Sequence, residues 1–199
     1  MKPDNIIPLH PNKPVRADAA RNRRLLLDTA QTLFDAQGIE VVTMSAIAKE
    51  ANVGKGTLYR HFADKADLCH ALLDEDMRDF QQMTLNHIRE CDDAYDSLQW
   101  FLEHAARYVI DHNELLIEVS KQGGVDMLNH PAHIWWRQTI MGLLNRFALD
   151  IDSAYIADML YIMLDVQTIR FQRRIQGYDI TRIVDGLHMV LARLLMPIS

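Results

Sequence analysis

The sequence predicts an all-α fold, and three observations support this prediction. Apolar residues recur at intervals of three and four along most of the chain, which places them on one face of a helix. Cap and turn residues separate these segments, and no stretch shows the period-two alternation that is typical of a strand. With 199 residues, 49% of them hydrophobic, the chain is long enough to bury a core.

The composition argues against several classes of protein. Cys69 and Cys91 are too few for a disulfide framework and lack the spacing that holds zinc. The first residues contain prolines in place of the apolar segment of a signal peptide. No window approaches the roughly 18 consecutive apolar residues of a membrane span. We therefore expect a cytoplasmic protein.

Charge is distributed unevenly along the chain, whose formal net charge is -6. Residues 1–62 carry nine Lys/Arg and six Asp/Glu, a net of +3, so residues 63–199 carry -9. We interpret residues 1–17 as a disordered basic arm, because prolines prevent a helix there and the apolar content is low. Such an arm is suited to lie near the phosphates of a nucleic acid, although a tail that is simply exposed to solvent has the same composition.

Two helices are predicted after this arm. The first covers about 18–37, with Asp18 as a possible N-cap and Gly38 as its C-terminal stop. The second covers 44–51, and Thr43 is suited to cap it because its hydroxyl can accept a hydrogen bond from a free amide.

A third helix, 55–62, follows a turn that contains Asn52, and the pair has the arrangement of a helix-turn-helix. Leu58 and Phe62 lie one turn apart and share its buried face. In this arrangement the later helix lies in the DNA major groove, about 12 Å wide, where side chains reach base edges and phosphates. The exposed groups on or beside it are Lys55, Thr57, Tyr59, Arg60, His61 and Lys65, with Gly56 allowing a close backbone approach.

This segment resembles the DNA-binding signature of the TetR/AcrR family over residues 18–68. The matching residues are Thr43-Met44-Ser45-Ala46-Ile47-Ala48, Val53-Gly54-Lys55-Gly56-Thr57-Leu58-Tyr59-Arg60-His61-Phe62 and Asp64-Lys65. The resemblance implies that Thr43 caps the second helix at a phosphate. It also implies a DNA backbone held by Gly54, Tyr59 and Lys65, and bases or nearby phosphates faced by Lys55, Gly56, Thr57 and His61.

The chain departs from the family pattern at two positions. Asn52 stands where members more often have Gly, and Gly54 stands where they have Ser, which removes one hydroxyl contact to a phosphate. Gly54-Lys55-Gly56-Thr57 also superficially resembles a nucleotide-binding loop. It fails the pattern G-x-x-x-x-G-K-[ST], and a helix precedes it instead of a strand.

The remaining chain predicts helices at roughly 65–91, 97–112, 114–121, 132–149, 152–176 and 180–196. We therefore expect a DNA-binding domain at 18–66 and a helical ligand-binding and dimerisation domain at 67–199. Aromatic residues in the latter could wall an apolar cavity, with Glu103 or His104 as a polar group. They are Trp100, Phe101, Tyr108, Trp135 and Trp136, and ordinary core packing explains them equally well.

The C-terminal segments predict a dimer interface. Apolar residues of 152–176 extend around more than one helix face, which is wider than packing on one neighbour requires. In TetR-like proteins two such helices from each subunit form a four-helix interface, where Gly186 would allow close approach. Burial within one subunit remains the alternative for the stripe Ile180, Ile183, Val184, Leu187, Val190, Leu191 and Leu194.

Taken together, these patterns predict a homodimeric, ligand-responsive regulator, usually a repressor in this family, that binds a palindromic operator. We expect no enzyme activity, no cofactor and no metal site, since the His130/His133 and His70/Asp74 pairs are unconvincing ligand sets. The alternatives are an all-helical enzyme or cofactor carrier, and a helical interaction module without a ligand.

Overall fold

The computed structural model describes residues 17–121, 131–147 and 151–195, and over these residues it contains ten helices and no strand. The all-α prediction is confirmed. The arm predicted at 1–17 lies outside the described residues, except for Ala17. The helices are α1 Ala17–Gln37, α2 Met44–Glu50, α3 Lys55–His61, α4 Lys65–Glu90, α5 Ala94–Asp111, α6 Asn113–Ser120, α7 Pro131–Leu144, α8 Ser153–Met163, α9 Val166–Arg174 and α10 Ile180–Leu195.

One predicted helix, 152–176, is wrong, because two helices occupy this segment. The carboxylate of Asp165 accepts hydrogen bonds from the backbone amides of Gln167 at 2.9 Å and Thr168 at 3.0 Å. These bonds satisfy free amides of a new first turn, so α9 begins directly after Asp165. At the other end of the chain, Asp18 lies inside the first turn of α1 and is not its N-cap.

The described residues 17–78 and 114–121 form one compact unit, called here the N-terminal unit. In it α2 packs against α1 and α3, around a core that includes Leu26, Phe34, Ile47 and Leu58. Gly38 ends α1 with φ +84°, a left-handed conformation that favours glycine. The unit includes α6 and the first half of α4, so it extends beyond residue 66.

The described residues 79–113, 131–147 and 151–195 form the C-terminal unit. Its central helix is α5, which packs against α7, α9 and α10, while α8 packs against α7. None of the described helices is long and apolar enough to cross a membrane. The fully buried side chains of this unit include Phe101, Leu102, Ile140, Leu160 and Leu191.

The apolar stripe of α10 is largely buried within the single chain. Ile183, Val184, Leu187 and Leu191 are all buried, and α10 packs closely against α5. Most of this stripe is therefore core, as the alternative interpretation held. Leu194 of this stripe remains exposed in the single chain, as do other apolar side chains in or beside the last three helices, namely Tyr155, Met159, Ile162, Phe171, Ile175 and Met189.

Candidate nucleic-acid interface

The turn between α2 and α3 has the geometry that the sequence predicts. The hydroxyl of Thr43 accepts a hydrogen bond from the amide of Ala46 at 3.2 Å, which caps α2. Asn52 has φ 53°, the left-handed conformation that Asn tolerates better than most residues. Both expectations are confirmed: Thr43 caps the start of α2, and Asn52 lies in the turn that precedes α3.

One face of α3 anchors the helix in the N-terminal unit. Leu58 and Phe62 are buried, and the guanidinium of Arg23 lies 5.2 Å from the centre of the Phe62 ring, within the range of a cation–π contact. Because these two side chains point inward, the opposite face of a two-turn helix must point outward.

The outward face of α3 carries most of the predicted DNA-contacting residues. Lys55, Gly56 and Tyr59 are exposed, as are Thr43 and Gly54 beside them, and Thr57 is half-buried. A Cβ added at Gly56 would meet no atom within 4 Å. Since glycine inside a helix costs about 1 kcal/mol relative to alanine, and packing in this chain does not require it, its absent side chain is suited to a molecule approaching from outside.

His61 differs from its neighbours on α3. It is half-buried, and its Nε2 atom is buried without a hydrogen-bond partner among the described residues. Desolvation lowers the pKa of His61, and the positive charges of Arg60 and Arg23 lower it further. The imidazole is therefore uncharged at neutral pH, and it is suited to hydrogen bonding more than to attracting a phosphate.

Lys65 is the predicted site residue whose charge the structure directs inward. Its ammonium donates to the carbonyls of Ile39 at 2.7 Å and Val42 at 3.3 Å, in the segment between α1 and α2. It also lies 3.5 Å from the carboxylate of Glu118 on α6, and the two side chains are only 18% and 13% exposed. A contact between Lys65 and a phosphate remains a prediction, and it would compete with these partners.

Other cations of the N-terminal unit divide into paired and unpaired groups. Arg24 binds Glu75 at 2.9 Å and Asp28 at 3.0 Å, and these carboxylates raise the pKa of its guanidinium. Lys49 and Lys55 are exposed and have no ion pair within the described part of the chain. Sequence reasoning did not single out Lys49, although its position on an exposed face of α2 could have been found from helix periodicity.

Most of the predicted ligand-binding residues form one aromatic cluster in the C-terminal unit. Its centre is Phe80 of α4, which the sequence analysis missed. The ring centre of Phe80 lies 5.6 Å from that of Phe101 and 5.8 Å from those of Tyr108, Trp135 and Trp136. All five side chains are buried, so in this state the cluster is packed core.

Trp100 and His104 form a separate, half-buried stack. The ring centre of Trp100 lies 3.8 Å from that of His104 and 4.4 Å from that of His87. His104 Nδ1 donates to the carbonyl of Trp100 at 2.8 Å, so the structure gives His104 a partner within its own helix.

The histidines considered as metal ligands form no site in the described part of the chain. His130 lies outside the described residues, and no group of three or more His, Cys, Asp or Glu among the described ones could hold an ion.

α3 follows α2 after a tight turn, buries one of its faces and exposes polar and basic groups on the opposite face. This arrangement is the helix-turn-helix of DNA-binding proteins. The profile of "Bacterial regulatory proteins, tetR family" matches residues 26–72. An HTH-type transcriptional regulator of Staphylococcus aureus strain MRSA252 is 32% identical over 164 residues, which are 79% of this chain and 85% of that protein. The chain belongs to the TetR family of bacterial transcriptional regulators.

Solved structures show the same fold beyond the DNA-binding segment. A TetR-family regulator from Pectobacterium atrosepticum has a TM-score of 0.72 at 17% identity, covering 93% of this chain and 100% of that one. The regulator FadR from Bacillus subtilis, solved in complex with stearoyl-CoA, has a TM-score of 0.65 at 20% identity, covering 88% and 99%. The C-terminal unit is therefore also similar in fold to these proteins.

We expect Lys65→Ala to lower the free energy of unfolding by about 1 to 3 kcal/mol, because Glu118 would lose a buried partner and two carbonyls would lose a donor. Chemical denaturation measures this change. The matched control is Lys55→Ala, which removes an exposed, unpaired lysine and should change stability by less than about 0.5 kcal/mol. Unchanged stability for Lys65→Ala, together with a weaker salt dependence of DNA binding, would instead assign Lys65 to a phosphate.

Proposed function

We propose that this protein is a ligand-responsive repressor that acts in the cytoplasm as a homodimer on a palindromic operator. The observation that carries the proposal is the exposed face of α3, where Lys55, Gly56 and Tyr59 lie opposite the buried Leu58 and Phe62. A helix presented in this way can enter a major groove without disturbing its own packing.

The roles of the interface residues follow from their chemistry. Thr43 and Gly54 are the N-caps of α2 and α3, and Tyr59 is exposed on α3; their hydroxyl and amide donors are suited to contacts with phosphates. Phosphate contacts fix the position of a protein on DNA without reading its sequence. We assign sequence reading to side chains on the exposed face of α3, chiefly Lys55 and Thr57, with the uncharged His61 beside them.

Two copies are needed because a helix of two turns contacts only a few base pairs. Twofold symmetry doubles the contacts and matches an inverted repeat in the operator. The exposed apolar side chains of α8, α9 and α10 favour pairing through residues 152–196. Tyr155, Met159 and Ile162 follow at intervals of four and three on α8, and so share one helix face.

A cavity of about 170 Å³ on the same helices also supports pairing. Its lining includes Met163 of α8, Gln172 of α9 and Gly186 and Met189 of α10. A Cβ at Gly186 would meet no atom within 4 Å, so the single chain leaves space there. Apolar side chains of a second copy would fill such a concavity and bury the exposed groups around it.

Ligand response is proposed for the C-terminal unit, in the region of Phe101, Tyr108, Trp135 and Trp136, with Trp100 and His104 nearby in the chain. FadR, which is similar in fold, was solved with stearoyl-CoA. In this chain, α4 contributes residues to both compact units and is the natural element to transmit a change. A ligand releases DNA only to the extent that it prefers the state that does not bind DNA, typically by about 1 to 3 kcal/mol.

Substitutions on α3 should separate positioning from sequence reading. We expect Tyr59→Phe, which removes only a hydroxyl, to weaken binding to operator and unrelated DNA by the same factor. Lys55→Ala and Thr57→Ala should instead reduce the preference for operator by about 1 to 3 kcal/mol per lost base contact. Fluorescence anisotropy on both DNAs, at several salt concentrations, measures these effects, and DNA upstream of the protein's own gene is the first operator to test.

Lys49→Ala is the matched control, because it removes an equally exposed lysine from α2. It should reduce the salt dependence without changing the preference for operator. If the Lys55→Ala/Thr57→Ala double variant keeps the full preference for operator, the assignment of base reading to α3 is wrong.

The dimer is tested by a charge placed on the exposed apolar face. Met189→Glu should give monomers with lost operator binding, because the buried interface would contain an unpaired carboxylate. Met189 is 58% exposed in the single chain, so the variant should still fold. Leu187, although central in the predicted stripe, is buried and would test folding instead.

Sedimentation velocity at micromolar concentration measures the outcome. The control is Met83→Glu on α4, which changes a methionine that is 49% exposed and lies outside the last three helices. A monomeric unmodified protein, or a Met189→Glu variant that still dimerises, would contradict the proposed interface.

A further inference from the structure

Gln81 of α4 has a fully buried side-chain amide that lacks a partner among the described residues. Its exposed fraction is 0%, and neither Oε1 nor Nε2 makes a hydrogen bond within this part of the chain. Nearly all buried polar atoms in native proteins have a hydrogen-bond partner. A side-chain amide whose oxygen and nitrogen both lack one therefore needs an explanation. Thr84, one turn further on, is equally buried, but its hydroxyl donates to the carbonyl of Phe80 at 2.8 Å. Burial on α4 therefore does not by itself leave a polar side chain without a partner.

Buried apolar residues lie close to Gln81 along α4. Phe80, the preceding residue, is the centre of the aromatic cluster, and Leu85, one turn later, is buried. Consecutive side chains on a helix diverge by about 100°, and since Phe80 and Gln81 are both buried, both point into the interior of the protein from adjacent faces of α4. An apolar site with one well-placed polar group is the usual composition of a small-molecule site.

The neutral interior of the C-terminal unit, as far as its residues are described, restricts the charge of the ligand. Among the described residues of the C-terminal unit, the buried polar side chains are all neutral, namely Gln81, Thr84, Ser97 and Thr139. A charged ligand would find no buried counter-charge there, and burying an unpaired charge is costly. A neutral ligand avoids this cost.

The amide of Gln81 offers one acceptor and two donors in one plane. A second amide pairs with it reciprocally, its N–H donating to Oε1 while its carbonyl accepts from Nε2. We propose that Gln81 is the polar anchor of the small-molecule site, and that its ligand is an uncharged, largely apolar molecule with a carboxamide or lactam group. This inference rests on the proposed ligand response and names the chemistry that the site recognises.

The first test needs no ligand and uses the full-length protein. Gln81→Met keeps the length of the side chain and removes its unpaired polar atoms, so the melting temperature should rise by about 2 to 4 °C. The control is Thr84→Val, which removes a hydroxyl that already has a partner and should not raise the melting temperature. A lower melting temperature for Gln81→Met would show that the amide is held by structural water, which would overturn the proposal.

The second test uses three matched probes in calorimetric titrations: 1-naphthamide, N,N-dimethyl-1-naphthamide and 1-naphthoate. The unmodified protein should bind 1-naphthamide at least about tenfold more tightly than either other probe, because only it is uncharged and has an amide donor. In Gln81→Met the preference over the dimethyl probe should fall to about one. Equal binding of the two amides, a preference for 1-naphthoate, or no binding of 1-naphthamide up to its solubility limit would each overturn the proposal.

Operator affinity, measured with and without 1-naphthamide, separates this inference from the proposed function. Binding that depends on Gln81 but leaves operator affinity unchanged would support the anchor and contradict the ligand response. Release of operator by 1-naphthamide to the same extent in Gln81→Met and in the unmodified protein would support the response and contradict the anchor.

Discussion

The burial of Leu58 and Phe62 is the constraint on which the DNA-binding surface depends. A two-turn helix is too short to be stable alone, so α3 exists because these two side chains are fixed in the N-terminal unit. Fixing them also determines which side chains of α3 face outward, since the helix cannot rotate without exposing a buried leucine and a buried phenylalanine. The inward side chains of residues 55–62 therefore stabilise the helix, and the outward ones are available for recognition.

The segment between α1 and α2 is held by a second set of contacts within the N-terminal unit. Lys65, at the start of α4, holds two carbonyls of that segment and lies beside Glu118 of α6. A change in the position of α6 would therefore alter the partners of Lys65, and with them the segment that precedes α2.

Local patterns were sufficient to predict the helix-turn-helix, because its determinants lie close together in sequence. The cap at Thr43, the left-handed Asn52 and the one-turn spacing of Leu58 and Phe62 all act within a few residues. The Lys65–Glu118 contact could not be predicted, since it joins residues more than fifty positions apart. The same is true of Phe80, whose role depends on rings from α5 and α7.

Two expectations at the C-terminal end differ from the structure, each for its own physical reason. Periodicity shows that a helix face is buried, but it does not show which molecule buries it, and the stripe around Leu187 is covered by the same chain. The broad apolar pattern of 152–176 had a different cause. It combines two helices, because Asp165 accepts hydrogen bonds from the amides of a new first turn. The exposed faces of these shorter helices supply the apolar surface for which a partner is proposed.

The central claim is that two symmetry-related copies of α3 read DNA together. Selection of binding sites from a random double-stranded library by the full-length protein tests it most directly. The account predicts that the selected sites contain an inverted repeat, with half-site centres about 10 base pairs apart or a multiple of that spacing. Enrichment of a single unrepeated half-site, or of no sequence at all, would contradict it.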